Sequence, residues 1–202
     1  MSPRPYSMQK RRLANSLTRA RILQAALQLL SAPQETDLSM DAIARRADVA
    51  RLTVYYQFDS RAGLLEALYD YLAERGNMRR MPEVFQERDP RAAINRAVGI
   101  FVDFWASDPV AIRRLRAMAA FDAEIARGIQ DRDSRRHRIF KDILKRLATA
   151  ERNVFAEGEF NSRADVLAML TGFASYDALA AAGHSAEQIA ATLIGLAHFA
   201  TG

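Results

Sequence analysis

Apolar residues recur at three- and four-residue spacing through almost the whole chain, and this restricts the fold more than any other feature. Ile22, Ala25, Ala26, Leu29 and Leu30 fall on one helical face, and Ser31-Ala32-Pro33 closes that stretch because proline cannot continue a helix. Met40, Ile43, Ala44 and Ala47 repeat the pattern over two turns, with Ser39 placed to cap and Asp41 set to complement the helix dipole. After a break at Asp48-Val49, a third short helix is expected from about Ala50 to Tyr56. Ser60 can cap a fourth, carrying Leu64, Leu65, Leu68, Tyr71 and Leu72 to a stop at Gly76-Asn77. Downstream, Asp89-Pro90 and Asp108-Pro109 read as helix starts. Amphipathic helices are expected over 115–129, 135–155, 162–182 and 185–200. No strand alternation, repeat or low-complexity block interrupts this reading. The expected fold class is all-α, with about nine helices.

Charge is unevenly placed. The net charge is +5, yet residues 1–34 hold Arg4, Lys10, Arg11, Arg12, Arg19 and Arg21 and no carboxylate. That favours a polyanionic partner at the N-terminal end. Pro3, Pro5 and the Lys-Arg-Arg cluster suggest a mobile basic arm over 1–17. The chain has no cysteine, which excludes disulfides, thiolate metal sites and thiol catalysis. Arg and Lys interrupt any apolar signal core at the N-terminus. Gln188–Gly202, free of Asp, Glu, Lys and Arg, is too short for a bilayer, which needs about 20 residues. No membrane partner is expected, and a cytoplasmic location is.

Ser39 to Arg61 carries the chemistry. Two helices of about two turns flank a tight turn, which is the helix-turn-helix layout. Ala44 is small enough for close backbone approach, and Val54 suits the buried side of the second helix. Arg51, Leu52, Thr53, Tyr56 and Gln57 are expected on its open side. Arginine can be bidentate to guanine, glutamine to adenine, and leucine can touch a thymine methyl; Thr and Tyr hydroxyls can hold phosphates.

The segments TRARILQAALQLL, LSMDAIARRADV and LTVYYQFDSRAGLLEAL, over Thr18–Leu72, together resemble the DNA-binding domain of the TetR (tetracycline-repressor-like) family. The resemblance implies that Tyr55 lies near the DNA backbone, that Phe58 plugs the core and that Arg61 holds a phosphate at the start of the fourth helix. Thr18, Ser39 and Met40 are expected to complete the contacting set. Asp48 stands where the family has glycine, Ala50 where Ser or Thr caps, Leu52 where a small residue is common, and Gly63 where a capping-box glutamate is usual. The resemblance divides the chain into an arm (1–17), a DNA-binding domain (18–77) and an effector-binding and dimerisation domain (78–202).

In that last part Phe101, Phe104, Trp105, Met118, Phe121, Phe140, Leu144, Phe173 and Tyr176 are candidates to line an effector cavity. Leu167, Leu170, Ala174, Ala178, Ile189, Leu193 and Leu196 are candidates for a four-helix dimer interface. His137, His184 and His198 share no metal-ligand spacing, and no nucleophile or phosphate-loop motif is present, so neither metal, cofactor nor catalysis is expected. The expected function is a DNA-binding transcriptional regulator, a repressor released from a palindromic operator by a small apolar effector. The alternatives are an effector-independent dimeric regulator of the same fold, or a helical protein-interaction module without DNA binding.

Overall fold

The computed structural model describes residues 5–32, 37–152, 155 and 157–202. Its described residues form eleven α-helices and one short 3-10 turn, with no strand. The chain divides into two compact units, Met1–Tyr71 and Leu72–Gly202.

The first unit holds α1 (Pro5–Ser31), α2 (Met40–Arg46), α3 (Arg51–Phe58) and most of α4 (Arg61–Arg75). Its core joins Ile22, Ala26 and Leu30 of α1 to Ile43 of α2, Val54 and Phe58 of α3, and Leu64, Leu65 and Leu68 of α4, all buried. Of the arm expected over 1–17, residues 5–17 are helical and continue α1. Pro5 sits at the helix start, where its missing N–H costs nothing, and Gln, Lys, Arg, Leu and Ala follow as strong helix formers. Residues 1–4 of the arm lie outside the described residues.

The second unit is built around α6 (Pro90–Ser107), which packs against α5 (Met81–Gln86), α8 (Ala123–Ala150) and α11 (Ala186–Thr201); α9 (Glu157–Leu170) packs against α8 and α11. Short α7 (Pro109–Met118) and α10 (Phe173–Ala181) complete it. Several starts follow the rules of the sequence. The Asp89 carboxylate accepts from the Arg91 N–H at 3.0 Å, and that of Asp108 from the Ala111 N–H at 3.2 Å. Ser185 and Gln188 close a reciprocal capping box.

Three helical boundaries differ from expectation. The stretch read as one helix over 115–129 is interrupted: Phe121 N–H bonds back to the Met118 carbonyl at 3.0 Å, and Asp122 starts α8 by accepting from the Glu124 and Ile125 N–H groups. From there α8 runs unbroken over 28 residues, because the charged run near 131–135 lies within one amphipathic helix instead of marking a turn. The stretch 162–182 breaks at Thr171-Gly172. There the indole Nε1 of Trp105 donates to the Thr171 carbonyl at 2.9 Å, which gives that oxygen a tertiary partner at the helix end. A β-carbon at position 172 would stand 3.1 Å from the Met169 carbonyl, so glycine suits the corner. Finally, α5 occupies a segment read as a boundary; it is too short to show periodicity, yet Val84 is fully buried.

A candidate nucleic-acid interface

The helix pair α2–α3 is shaped by its caps. The Ser39 hydroxyl accepts from the Ala42 N–H at 3.2 Å and donates to Asp37 at 2.7 Å, so the entry to α2 is fixed. At its end the Val49 N–H reaches the Ala44 carbonyl at 3.1 Å. Asp48 takes φ 51°, the left-handed conformation that glycine usually supplies and that aspartate tolerates better than most residues. Ala50 precedes α3 in extended conformation without a side-chain cap. The Thr53 N–H reaches the Ala50 carbonyl at 2.8 Å, and no side chain of the capping residue engages the N–H groups of Arg51 and Leu52.

One face of α3 is locked inward by Val54 (0% exposed) and Phe58 (4%). The opposite side holds Leu52 and Tyr56, at 71% and 86% exposure. Arg51 is exposed, and Thr53, Tyr55 and Gln57 are half-buried. The Arg51 guanidinium donates to the Tyr55 hydroxyl at 3.3 Å and pairs with Asp41 of α2 at 3.3 Å. That hydrogen bond, reinforced by the Asp41 charge, raises the Arg51 pKa above its ordinary value. Thr18 is half-buried and its hydroxyl bonds the Ala14 carbonyl at 2.9 Å; Ser39 and Arg61 are half-buried at their helix starts. Met40 is the exception in the expected DNA-contacting set: only 5% exposed, its side chain belongs to the core of the first unit. The period of α2 turns position 40 to the same side as Ile43 and Ala44.

Residues outside the expected set position α3. Arg19 of α1 lays its guanidinium 4.2 Å from the Phe58 ring centroid and donates to the Gln57 carbonyl. The Gln57 side-chain amide donates to Asn15. Both contacts come from α1, more than thirty residues away, so no local motif announced them. The corner into α4 is equally specific. Asp59 takes φ 62°, and the Ser60 hydroxyl accepts from the Gly63 N–H at 3.0 Å. A β-carbon on Gly63 would collide with the Phe58 carbonyl oxygen. A side chain at position 63 would therefore require this corner to shift.

In the second unit the aromatic candidates mostly pack on one another. Ring centroids lie 6.1 Å apart for Phe101–Phe140, 5.5 Å for Trp105–Phe173 and 6.2 Å for Phe173–Tyr176. Leu144 is buried beside them, while Phe104 and Met118 are half-buried. Phe121 does not join them. At 97% exposure it sits on the α7–α8 turn, because the break at 119–122 carries it off the helical face on which it was expected. Arg136, 8% exposed, lies over Phe101 and Trp105 and shares the Asp133 carboxylate with Arg116, each at 2.8 Å. Burial lowers the Arg136 pKa, and Asp133 opposes that shift.

The interface candidates also separate. Leu167, Leu170, Ile189 and Leu193 are buried in the core of the same chain. Ala174, Ala178 and Leu196 are exposed, together with Met169 at 62% and Phe199 at 88%.

Gly63→Ala tests the corner directly. It should lower the unfolding free energy by about 1–3 kcal/mol through the forced shift of the Phe58 carbonyl. Urea unfolding monitored by circular dichroism measures this; an unchanged midpoint would contradict the close approach.

Similarity to known proteins agrees with this geometry. The family model described as "Bacterial regulatory proteins, tetR family" matches residues 22–68. The HTH-type transcriptional regulator EthR of Mycolicibacterium smegmatis is 32% identical over 100 residues, covering 46% of this chain and 44% of that protein. The chain thus spans less than half the length of that curated relative. Among solved structures, a TetR transcription regulator from Haloarcula marismortui aligns with TM-score 0.64 and 21% identity, over 92% of this chain and 97% of that one. NalD of Pseudomonas aeruginosa, the secondary repressor of the MexAB-OprM multidrug efflux pump, aligns with TM-score 0.65 and 20% identity, over 93% and 96%. At these identities the two structures carry the fold alone. Residues 22–68 thus match the tetR family model, and the whole chain shares the fold of TetR regulators.

Proposed function

We propose that the protein is a homodimeric DNA-binding transcriptional regulator that inserts α3 into the major groove of each half of a palindromic operator. The observation that carries this reading is the open side of α3, with Leu52 and Tyr56 exposed on a helix whose other side is locked by Val54 and Phe58. Uncapped N–H groups at the start of α3 and the exposed cations Arg45, Arg46 and Arg51 supply the phosphate-facing chemistry. The basic N-terminal part of α1 adds further charge to the same unit.

Pairing uses the exposed small and apolar residues of α10 and α11. Ala174 and Ala178 allow close helix approach, and Leu196 and Phe199 supply area that water would otherwise cover. The protein acts as a repressor, released when a small apolar effector opens the aromatic cluster around Trp105. An effector that binds the DNA-free form more tightly by a few kcal/mol suffices to shift the equilibrium. The contact distances within that cluster favour a second reading, in which it is simply core and regulation is effector-independent. A thermal-shift screen of apolar metabolites separates the two: a stabiliser that also weakens operator binding supports release.

The double variant Tyr55→Ala/Arg61→Ala should weaken operator binding at least about tenfold in a gel-shift titration, as expected for two lost hydrogen bonds in each half-site. Unchanged affinity would refute the site. Phe199→Asp should shift the protein from dimer to monomer in sedimentation velocity while leaving its helical content intact. A dimer of undiminished strength would place the pairing surface elsewhere.

A further inference from the structure

The open side of α3 is divided into two stripes of opposite chemistry. Arg51 and Tyr55, one turn apart, hold each other, and Arg51 is also tied to Asp41. The Gln57 side-chain amide N–H donates to Asn15, and the backbone carbonyl of the same residue accepts from Arg19. The two side chains of α3 able to make bidentate hydrogen bonds to a base are thus both engaged within the protein. Leu52 and Tyr56, also one turn apart, form the other stripe. They remain 71% and 86% exposed.

The neighbouring cations Arg45, Arg46 and Arg51 select a polyanion as the occupant of that surface. On the edge of the major groove the apolar feature is the C5 methyl group of thymine. We infer that Leu52 reads a thymine methyl group in each operator half-site, so that base choice at that position rests on apolar contact instead of an arginine–guanine pair. The ring of Tyr56 extends the same apolar stripe, and its hydroxyl faces the phosphate backbone. Arg51, held by Asp41 and Tyr55, supplies charge and position. This inference rests on the DNA-binding reading and adds to it the chemical group that is recognised.

The test begins with selection of bound sequences from a random duplex pool by the full chain. Thymines of the selected operator are then replaced singly, and in symmetric pairs, by deoxyuridine, which removes only the methyl group. At one thymine per half-site, affinity should fall about fourfold for a single replacement and about fifteenfold for the pair, the loss expected for one buried methyl-sized group at each site. Leu52→Ala should bind the thymine and deoxyuridine operators equally. Because Leu52 is exposed, this variant is expected to fold, and Leu52→Gln gives a second, polar control. An operator indifferent to deoxyuridine, one without a thymine common to both halves, or undiminished methyl sensitivity in Leu52→Ala overturns the inference. Indifference to deoxyuridine combined with weakening by 7-deazaguanine would transfer readout to Arg51. A selection that enriches nothing overturns the DNA-binding reading itself, which keeps the two failures distinct.

Discussion

The tight corner between Phe58 and Gly63, where a β-carbon would collide with the Phe58 carbonyl, sets the spacing of α3 and α4 on which the N-terminal unit depends. It lets α4 begin immediately after α3, with Phe58 driven into the core and Arg19 stacked on its ring. At the other end, the left-handed Asp48 turns the chain from α2 into α3 within a few residues. A helix of two turns has little stability of its own. Held at both ends and pinned through Val54, α3 keeps Leu52 and Tyr56 exposed on the side away from the core. Function in this unit follows from that economy of anchoring.

Most of this was legible in the sequence, for identifiable reasons. The cap at Ser39, the left-handed turn at Asp48, the inward Val54 and Phe58 and the start of α4 all depend on local chemistry, and local chemistry is written in short stretches. Gly63 was visible only as a departure; the collision a side chain there would meet needed the position of a carbonyl five residues earlier. Arg19 and Asn15 were illegible as positioning residues because their partners lie 38 and 42 residues along the chain. At Met40 the helical period and the motif register point opposite ways, and the period prevails: the side chain turns inward.

The second unit was harder to read. An apolar residue on an amphipathic helix can face its own core or a partner, and the sequence pattern is the same in both cases. Leu167 and Ile189 resolve inward, Leu196 and Phe199 outward. The aromatic set shows a similar ambiguity between core and cavity, and the ring contacts around Trp105 make it a packed cluster that an effector would have to open. The paired guanidiniums of Arg116 and Arg136 on one Asp133 carboxylate put charge against that cluster. Replacing Asp133 would leave the buried Arg136 and the half-buried Arg116 without that carboxylate.

Backbone amide NMR of the isotope-labelled protein titrated with its selected operator tests the central claim most directly. The account predicts that the largest chemical-shift changes fall on residues 39–61, strongest at the start of α3 and along the Leu52–Tyr56 stripe. Changes confined to the second unit, with α3 unaffected at saturating operator, would contradict it.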